Sequence, residues 1–168
     1  MNNTCCFFGH RNIQNTDDIK NKLFNTVETL ITNKNINTFL FGCNSQFNDL
    51  CYKIVSELKT KYPKIKRVYV RAKFPYINNE YRDYLLQSYE DTYYPPQIIN
   101  SGKAAYVERN YEMINQSQFC VIYFDENNDQ SKSGTKTAYK YALKKGRNII
   151  NVLDSKHITE SDDWFGLV

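Results

Sequence analysis

The fold is decided by residues 4–11, TCCFFGHR, in which an apolar run ends at the turn Gly9-His10-Arg11. A second strong apolar run, residues 119–124, FCVIYF, is followed after a polar segment by Ser133-Gly134-Thr135. Glycine lets backbone amides come close to an anion, the start of a helix presents unpaired N–H groups, and His and Arg add charge-assisted donors. The two turns therefore predict a phosphate-sized anion site next to two buried strands.

Around these runs, short apolar segments alternate with apolar stripes at 3.6-residue spacing, which is the pattern of βαβ units. Strands are predicted at residues 4–8, 38–41, 67–70, 119–124 and 148–152, and helices from Asp17 onward, over 47–58, over 105–116 and over 135–145. The segment 76–104 is less regular, with one helix predicted over about 80–89 and then a loop through Pro95-Pro96 to Gly102. The whole pattern predicts an α/β fold.

Right-handed crossovers arrange these strands into a Rossmann-like, doubly wound sheet of five parallel strands with helices on both faces. Numbered along the chain, the strands take the order 3-2-1-4-5, and residues 119–124 form a central strand because they are apolar at nearly every position. The topological switch point then lies between strands 1 and 4, where ligands bind at the carboxyl ends. Residues 1–153 are predicted to form this domain and residues 154–168 an acidic tail.

The composition is typical of a globular protein, because 41% of the residues are apolar and 24% are charged. No apolar stretch approaches the roughly 18 residues of a membrane helix, and the start of the chain lacks the pattern of a signal peptide. We therefore expect a cytoplasmic protein with no membrane partner. The five cysteines contain no Cys-x-x-Cys pair and are interpreted as small core residues. Neither a metal site nor a cofactor is predicted.

The predicted ligand site gathers polar and glycine residues from the carboxyl ends of several strands. Arg109 lies on the helix that leads into the central strand and is predicted to be a second anion anchor. His10 has two interpretations, a direct ligand contact or a supporting residue. The predicted roles are phosphate binding for Gly9, Arg11, Gly134 and Thr135, charge neutralisation for His10 and Arg109, and ribose contact for Asn44 and Asp49, with Gly42, Asn110, Ser133 and Tyr76 completing the set.

Five segments together resemble the SLOG superfamily, and most closely its small YpsA-like branch. The segments are residues 6–11, CFFGHR; Gly42 with Phe47 and Asp49; residues 109–113, RNYEM; residues 121–124, VIYF; and residues 133–135, SGT. The resemblance covers about Thr4 to Val152. It implies a Rossmann-like domain that binds a nucleotide or nucleotide-sugar ligand of the ADP-ribose or NAD-derived type, as a sensor or carrier.

The same superfamily includes the DprA-type domains and the Lonely-guy phosphoribohydrolases, which this chain resembles in the Arg-x-x-x-Met helix and the Gly-Thr that opens the next helix. Their pattern places a catalytic Glu three residues after that Thr, where this chain has Ala138. The resemblance therefore implies a site without catalysis. If an N-glycosidic bond is hydrolysed after all, Glu108 or Glu112, with Arg109, are the catalytic candidates.

Two further patterns have alternative interpretations. Tyrosines between the third strand and the Arg109 helix, Tyr76 and Tyr81 first, either stack on an adenine-like base or pack a helix. The segment Lys59 to Lys73 holds seven basic residues and no acidic one, which indicates either a solvated rim or a nucleic-acid surface. Because no groove-reading motif accompanies the charge, the expected partner is a small nucleotide-like molecule rather than nucleic acid, and homo-oligomerisation stays open.

Overall fold

Strands and helices alternate along the chain, as the pattern predicts. The computed structural model describes residues 3–127 and 134–154. The elements are β1 (Thr4–Gly9), α1 (Asp17–Lys34), β2 (Thr38–Phe41), α2 (Gln46–Lys61), β3 (Lys66–Val70), α3 (Asn79–Leu85), β4 (Asp91–Tyr93), α4 (Lys103–Asn115), β5 (Phe119–Tyr123), α5 (Gly134–Lys144) and β6 (Asn148–Asn151). Apart from Asp154, the predicted tail 154–168 lies outside the described residues.

The described strands form one parallel sheet in the order β4-β3-β2-β1-β5-β6. The prediction of five strands in the order 3-2-1-4-5 is thereby corrected to six, because β4 adds to the outer edge of β3 and pairs Val68 with Asp91. β1 lies between β2 and β5, with Cys6 opposite both Leu40 and Cys120. The strand order therefore reverses beside β1, and the carboxyl ends of β1 and β5 flank the switch point.

The helix predicted over residues 80–89 and the loop after it are also corrected. Helix α3 ends at Leu85, whose carbonyl accepts hydrogen bonds from the amides of Ser88 and Tyr89. The chain then enters β4 beside Glu90, whose carboxylate accepts hydrogen bonds from the backbone amide and the guanidinium of Arg67. Strand β4 is only three residues long, which is too short to show a strand pattern in the sequence. It forms because it pairs with β3.

Each face of the sheet has its own hydrophobic core. On one face, Cys5 and Phe7 of β1 pack with the apolar stripes of α1 and α2. On the other face, Cys6 and Phe8 pack with residues of α4 and α5. Alternate residues of one strand thus enter opposite cores, which is why β1 and β5 are buried along nearly their whole length. The predictions of helices on both faces and of a buried strand at 119–124 are confirmed.

Among the described residues, no helix combines the length and apolar character needed to cross a membrane. All five cysteines are described with free thiols, and Cys5, Cys6, Cys51 and Cys120 are fully buried. Their interpretation as small core residues is confirmed for these four, whereas Cys43 is half-buried at the end of β2.

Candidate functional site

A cavity of about 950 Å³ opens at the carboxyl edge of the sheet. It is lined by the segments that follow three neighbouring strands and by the beginnings of two helices. These are residues 9–12 after β1, 42–45 after β2 and 71–74 after β3, with Asn48 and Asp49 of α2, Gly134 and Thr135 of α5, Tyr106, Arg109 and Asn110 of α4, and Phe8, Tyr69, Tyr81 and Tyr89. The cavity therefore begins near the predicted switch point and extends beyond it over β2 and β3.

Most of the predicted site residues line this cavity. They are Gly9, His10, Arg11, Gly42, Asn44, Asp49, Arg109, Asn110, Gly134 and Thr135. Tyr76 does not line it: its side chain is 93% exposed. Ser133 lies outside the described residues. The two tyrosines predicted to stack on a base therefore differ in position: Tyr81 lines the cavity, whereas Tyr76 is exposed to solvent.

Two of the glycines are required by protein packing, a reason that the sequence did not indicate. A Cβ atom at Gly9 would lie 2.4 Å from the ring of Phe47. A Cβ atom at Gly42 would lie 2.9 Å from both Cδ of Arg109 and the carbonyl oxygen of Val70. By contrast, no atom of the described residues lies within 4 Å of a Cβ placed at Gly134, which begins α5. Packing among the described residues therefore does not account for this third glycine.

Arg109 is a buried cation that holds the floor of the cavity together. Its Nη1 donates to the carbonyl of Gly42 at 2.7 Å, and its Nε donates to Oδ1 of Asn110 at 2.9 Å. The guanidinium carbon lies 5.5 Å from the centre of the Tyr106 ring, which is within the range of a cation–π contact. Arg109 thus brings its charge to the cavity while fixing the turn after β2.

His10 is neutral in this arrangement, so it does not supply the positive charge expected of it. Its Nε2 accepts a hydrogen bond of 3.0 Å from the backbone amide of Asp125, and a protonated ring nitrogen cannot accept. Burial lowers the pKa of His10, and the Asp125 carboxylate opposes that shift. The structure thus favours the supporting interpretation, in which His10 ties the turn after β1 to the end of β5.

Arg71 was not among the predicted site residues, yet it is the most informative side chain in the cavity. It directly follows β3 and is only 7% exposed. Its Nη1 lies 3.4 Å from Oγ1 of Thr92, its buried Nε has no hydrogen-bond partner, and no described carboxylate lies within ion-pair distance. Burial lowers its pKa. A buried guanidinium without a carboxylate partner is costly to the folded protein.

Asn48 is a second cavity residue with an unsatisfied buried atom. Asn48 is 8% exposed, and its Oδ1 has no hydrogen-bond partner within residues 3–127 and 134–154. It lies in the first turn of α2, where Ser45 caps the helix by accepting from the Asn48 amide at 3.0 Å. Buried polar atoms are almost always paired in folded proteins. Two residues that line the cavity from different elements, Arg71 and Asn48, therefore each carry one buried polar atom without a partner among the described residues.

Of the catalytic candidates, Arg109 lines the cavity, whereas the two glutamates lie elsewhere. Glu108 is half-buried and accepts hydrogen bonds from the amide of Ile99 and the side chain of Asn100, and it does not line the cavity. Glu112 is buried beside Gln116, where burial raises its pKa, and it does not line the cavity either. Ala138 packs in the core against the sheet. Among the described lining residues, Asp49 is the single carboxylate, against the cations Arg11, Arg71, Lys73 and Arg109.

The basic segment 59–73 does not form one continuous surface. Lys59 and Arg67 pair with Glu90, and Lys61 pairs with Glu28. Lys64 and Lys66 are exposed at the amino end of β3, whereas Arg71 and Lys73 follow its carboxyl end and line the cavity. The strand thus separates two groups of cations that the sequence places in one run. The sequence feature that could have identified Arg71 as a cavity residue is its position just after a strand, at the same edge of the sheet as Gly9 and Gly42.

The fold has a solved counterpart, although no family model matches the chain and no curated protein does. DNA processing protein A from Helicobacter pylori, whose structure was described for its single-stranded DNA binding mode, is similar over 88% of this chain with a TM-score of 0.56 and 16% sequence identity. The aligned part covers 64% of that protein's chain, so this chain spans less than two thirds of its length. This likeness shows that the chain has an α/β fold of the type found in DNA processing protein A.

Proposed function

We propose that the cavity binds a small phosphorylated nucleotide, of the ADP-ribose or NAD-derived type, and that the protein acts as a sensor or carrier of it. The observation that carries the proposal is Arg71, a buried guanidinium that lines the cavity and has no carboxylate partner among the described residues. An anionic ligand would supply the missing partner. A phosphate is well suited, because its oxygens accept several hydrogen bonds from guanidinium groups at once.

The surroundings of Arg71 support a ligand larger than inorganic phosphate. A cavity of 950 Å³ is in the range of pockets that hold cofactors and other organic ligands. The start of α5 at Gly134 and Thr135 offers backbone N–H groups to a second phosphate. Asn44, Asn48 and Asp49 supply the acceptors and donors that ribose hydroxyls need. The resemblance to the YpsA-like branch of the SLOG superfamily agrees with a ligand of this composition.

Replacement of Arg71 tests the proposal directly. We expect wild-type protein to bind ADP-ribose or AMP in calorimetric titration, and Arg71→Met to lose about 10-fold or more in affinity, as expected for a lost hydrogen bond between charged groups. The matched control is Lys64→Met, which removes the same charge at the opposite end of β3 and should leave the affinity unchanged. A wild-type protein that binds no nucleotide, or equal affinities in all three proteins, would contradict the proposal.

Single-strand nucleic acid is a second candidate ligand, because DNA processing protein A from Helicobacter pylori is described as binding single-stranded DNA. Four cations in one cavity suit a nucleic-acid phosphate as well as a free nucleotide. The free nucleotide is favoured here because the exposed cations of the basic segment, Lys64 and Lys66, lie at the edge of the sheet opposite the cavity. A bound strand would therefore not meet both groups of charge along β3.

Hydrolysis of an N-glycosidic bond receives no support from the arrangement of acids. A general acid has to lie within hydrogen-bond reach of the leaving base, and Glu108 and Glu112 lie outside the cavity. Asp49, at the start of α2, is the carboxylate that a hydrolase of this kind would have to use among the described lining residues. Ligand binding without turnover is therefore the function that we propose.

A further inference from the structure

Phe74 has a backbone conformation that its side chain disfavours. Its φ angle is +60°, in the left-handed region, and Asn35 is the one other described residue besides glycine with a positive φ. Asn tolerates this region, whereas a bulky aromatic residue seldom occupies it. Strain of this kind persists where the surrounding structure or a function requires it.

The strained backbone holds an aromatic ring at the rim of the cavity. Phe74 lines the cavity, and its side chain is 60% exposed. It meets Tyr81 edge-on, with ring centres 6.0 Å apart at 71°. Tyr81 in turn stacks on Tyr84 at 6.2 Å and 22°. Tyr81 thus supports Phe74 from one side, and the ring keeps a large part of its apolar surface free.

The chemistry beside this ring fits the base end of a nucleotide. Phe74 lies three residues after Arg71 and directly after Lys73, so cations that attract phosphate and an exposed aromatic face come from one short segment. Lys73 itself lies over the ring of Tyr106, with 5.7 Å between Nζ and the ring centre. A ligand that carries both an anionic group and a flat aromatic group can contact Arg71 and Phe74 together.

We propose that Phe74 is the base-stacking residue of this site and determines its preference for nucleotides over other phosphorylated molecules. This inference rests on the proposed nucleotide-binding function and deepens it. The phosphate contacts Arg71, and the base stacks on the exposed face of Phe74, with Tyr81 holding the ring in place. The left-handed backbone at Phe74 is the conformation in which its ring lies at the rim of the cavity.

The test compares two ligands on four proteins. AMP contains a base and ribose 5-phosphate does not, so their ratio of affinities isolates the contribution of the base. Phe74→Gly removes the ring and relieves the disfavoured φ, so it should fold normally. Phe74→Trp keeps an aromatic face. Asn35→Gly is the matched control, because it relieves the second positive φ at the end of α1, at the opposite edge of the sheet from the cavity.

We expect Phe74→Gly to lower the affinity for AMP by about 10-fold, within the range for one base–aromatic stack. The affinity for ribose 5-phosphate should be unchanged. Phe74→Trp should retain the preference for AMP, and Asn35→Gly should match the wild type for both ligands. Equal losses for the two ligands, or no loss for either, would overturn the role of Phe74 while leaving the proposed function intact. If the wild type binds neither ligand, the proposed function itself fails.

Discussion

At the scale of single residues, the cavity is defined by polar atoms whose pairing is incomplete. Arg71 and Asn48 are buried, yet Nε of the first and Oδ1 of the second have no hydrogen-bond partner in the described part of the chain. Arg109, in contrast, is buried and paired with the Gly42 carbonyl and the Asn110 side chain. A cation paired in this way stabilises the protein's own turn, whereas a buried guanidinium without a carboxylate partner lowers stability. Arg71 is therefore the residue on which the proposal of a binding site depends.

His10 predicts a pH dependence of stability. Because burial lowers its pKa in the folded protein, the unfolded chain binds its proton at a higher pH than the folded one. The free energy of unfolding should therefore be fully maintained above the ordinary histidine value of about 6.5 and should fall as the pH drops below it. Chemical denaturation at several pH values measures this.

The comparison protein for this prediction is His10→Gln. Its side-chain oxygen can accept the hydrogen bond from the Asp125 amide but does not titrate in this range. The variant should lose stability less steeply than the wild type below pH 6.5. Identical slopes in the two proteins would show that His10 does not contribute to the pH dependence.

At the scale of elements, the start of α2 links stability to the site. Ser45 caps this helix by accepting from the amide of Asn48, and both residues line the cavity. Thr16 caps α1 in the same way by accepting from the amide of Ile19, and it does not line the cavity. The two caps are chemically alike, so their replacement separates the general effect of a lost cap from an effect on the site.

We expect Ser45→Ala and Thr16→Ala each to lower the free energy of unfolding by about 1 kcal/mol, the usual cost of a lost N-cap. Ser45→Ala should also weaken the binding of AMP, because the first turn of α2 holds Asn48 and Asp49 in the cavity wall. Thr16→Ala should leave that affinity unchanged. Denaturant unfolding measures the stability of the two variants, and calorimetric titration measures their affinity for AMP. Equal affinities of the two variants would show that the α2 cap does not contribute to ligand binding.

At the scale of the whole molecule, β3 separates two groups of cations. Lys64 and Lys66 stand at its amino end, and Arg71 and Lys73 follow its carboxyl end. A free nucleotide bound in the cavity would contact only the second group. For a nucleic-acid strand that crosses the protein, both groups would contribute, and affinity would fall steeply with salt.

The charge-reversal variant Lys66→Glu distinguishes these two ligands. We expect it to leave the affinity for AMP unchanged, and we expect a short single-stranded oligonucleotide to bind more weakly than AMP at physiological salt. Titrations at several salt concentrations provide the measurement. An oligonucleotide that binds more tightly than AMP, with an affinity reduced by Lys66→Glu, would favour nucleic acid as the ligand.

The sequence by itself determined the order of the main strands and helices, because the alternation of apolar runs and helical stripes is a local property of the chain. It also placed Gly9, Arg109 and Gly134 at one edge of the sheet, since parallel strands share their carboxyl edge. Tertiary structure decided what the periodicity cannot encode. The edge strand β4 forms through pairing with β3, and Gly9 and Gly42 are required by Phe47 and Arg109 packed against them. Arg71 is buried with no carboxylate of the described residues within ion-pair distance. These are properties of contacts between distant segments, and they arise only when the chain folds.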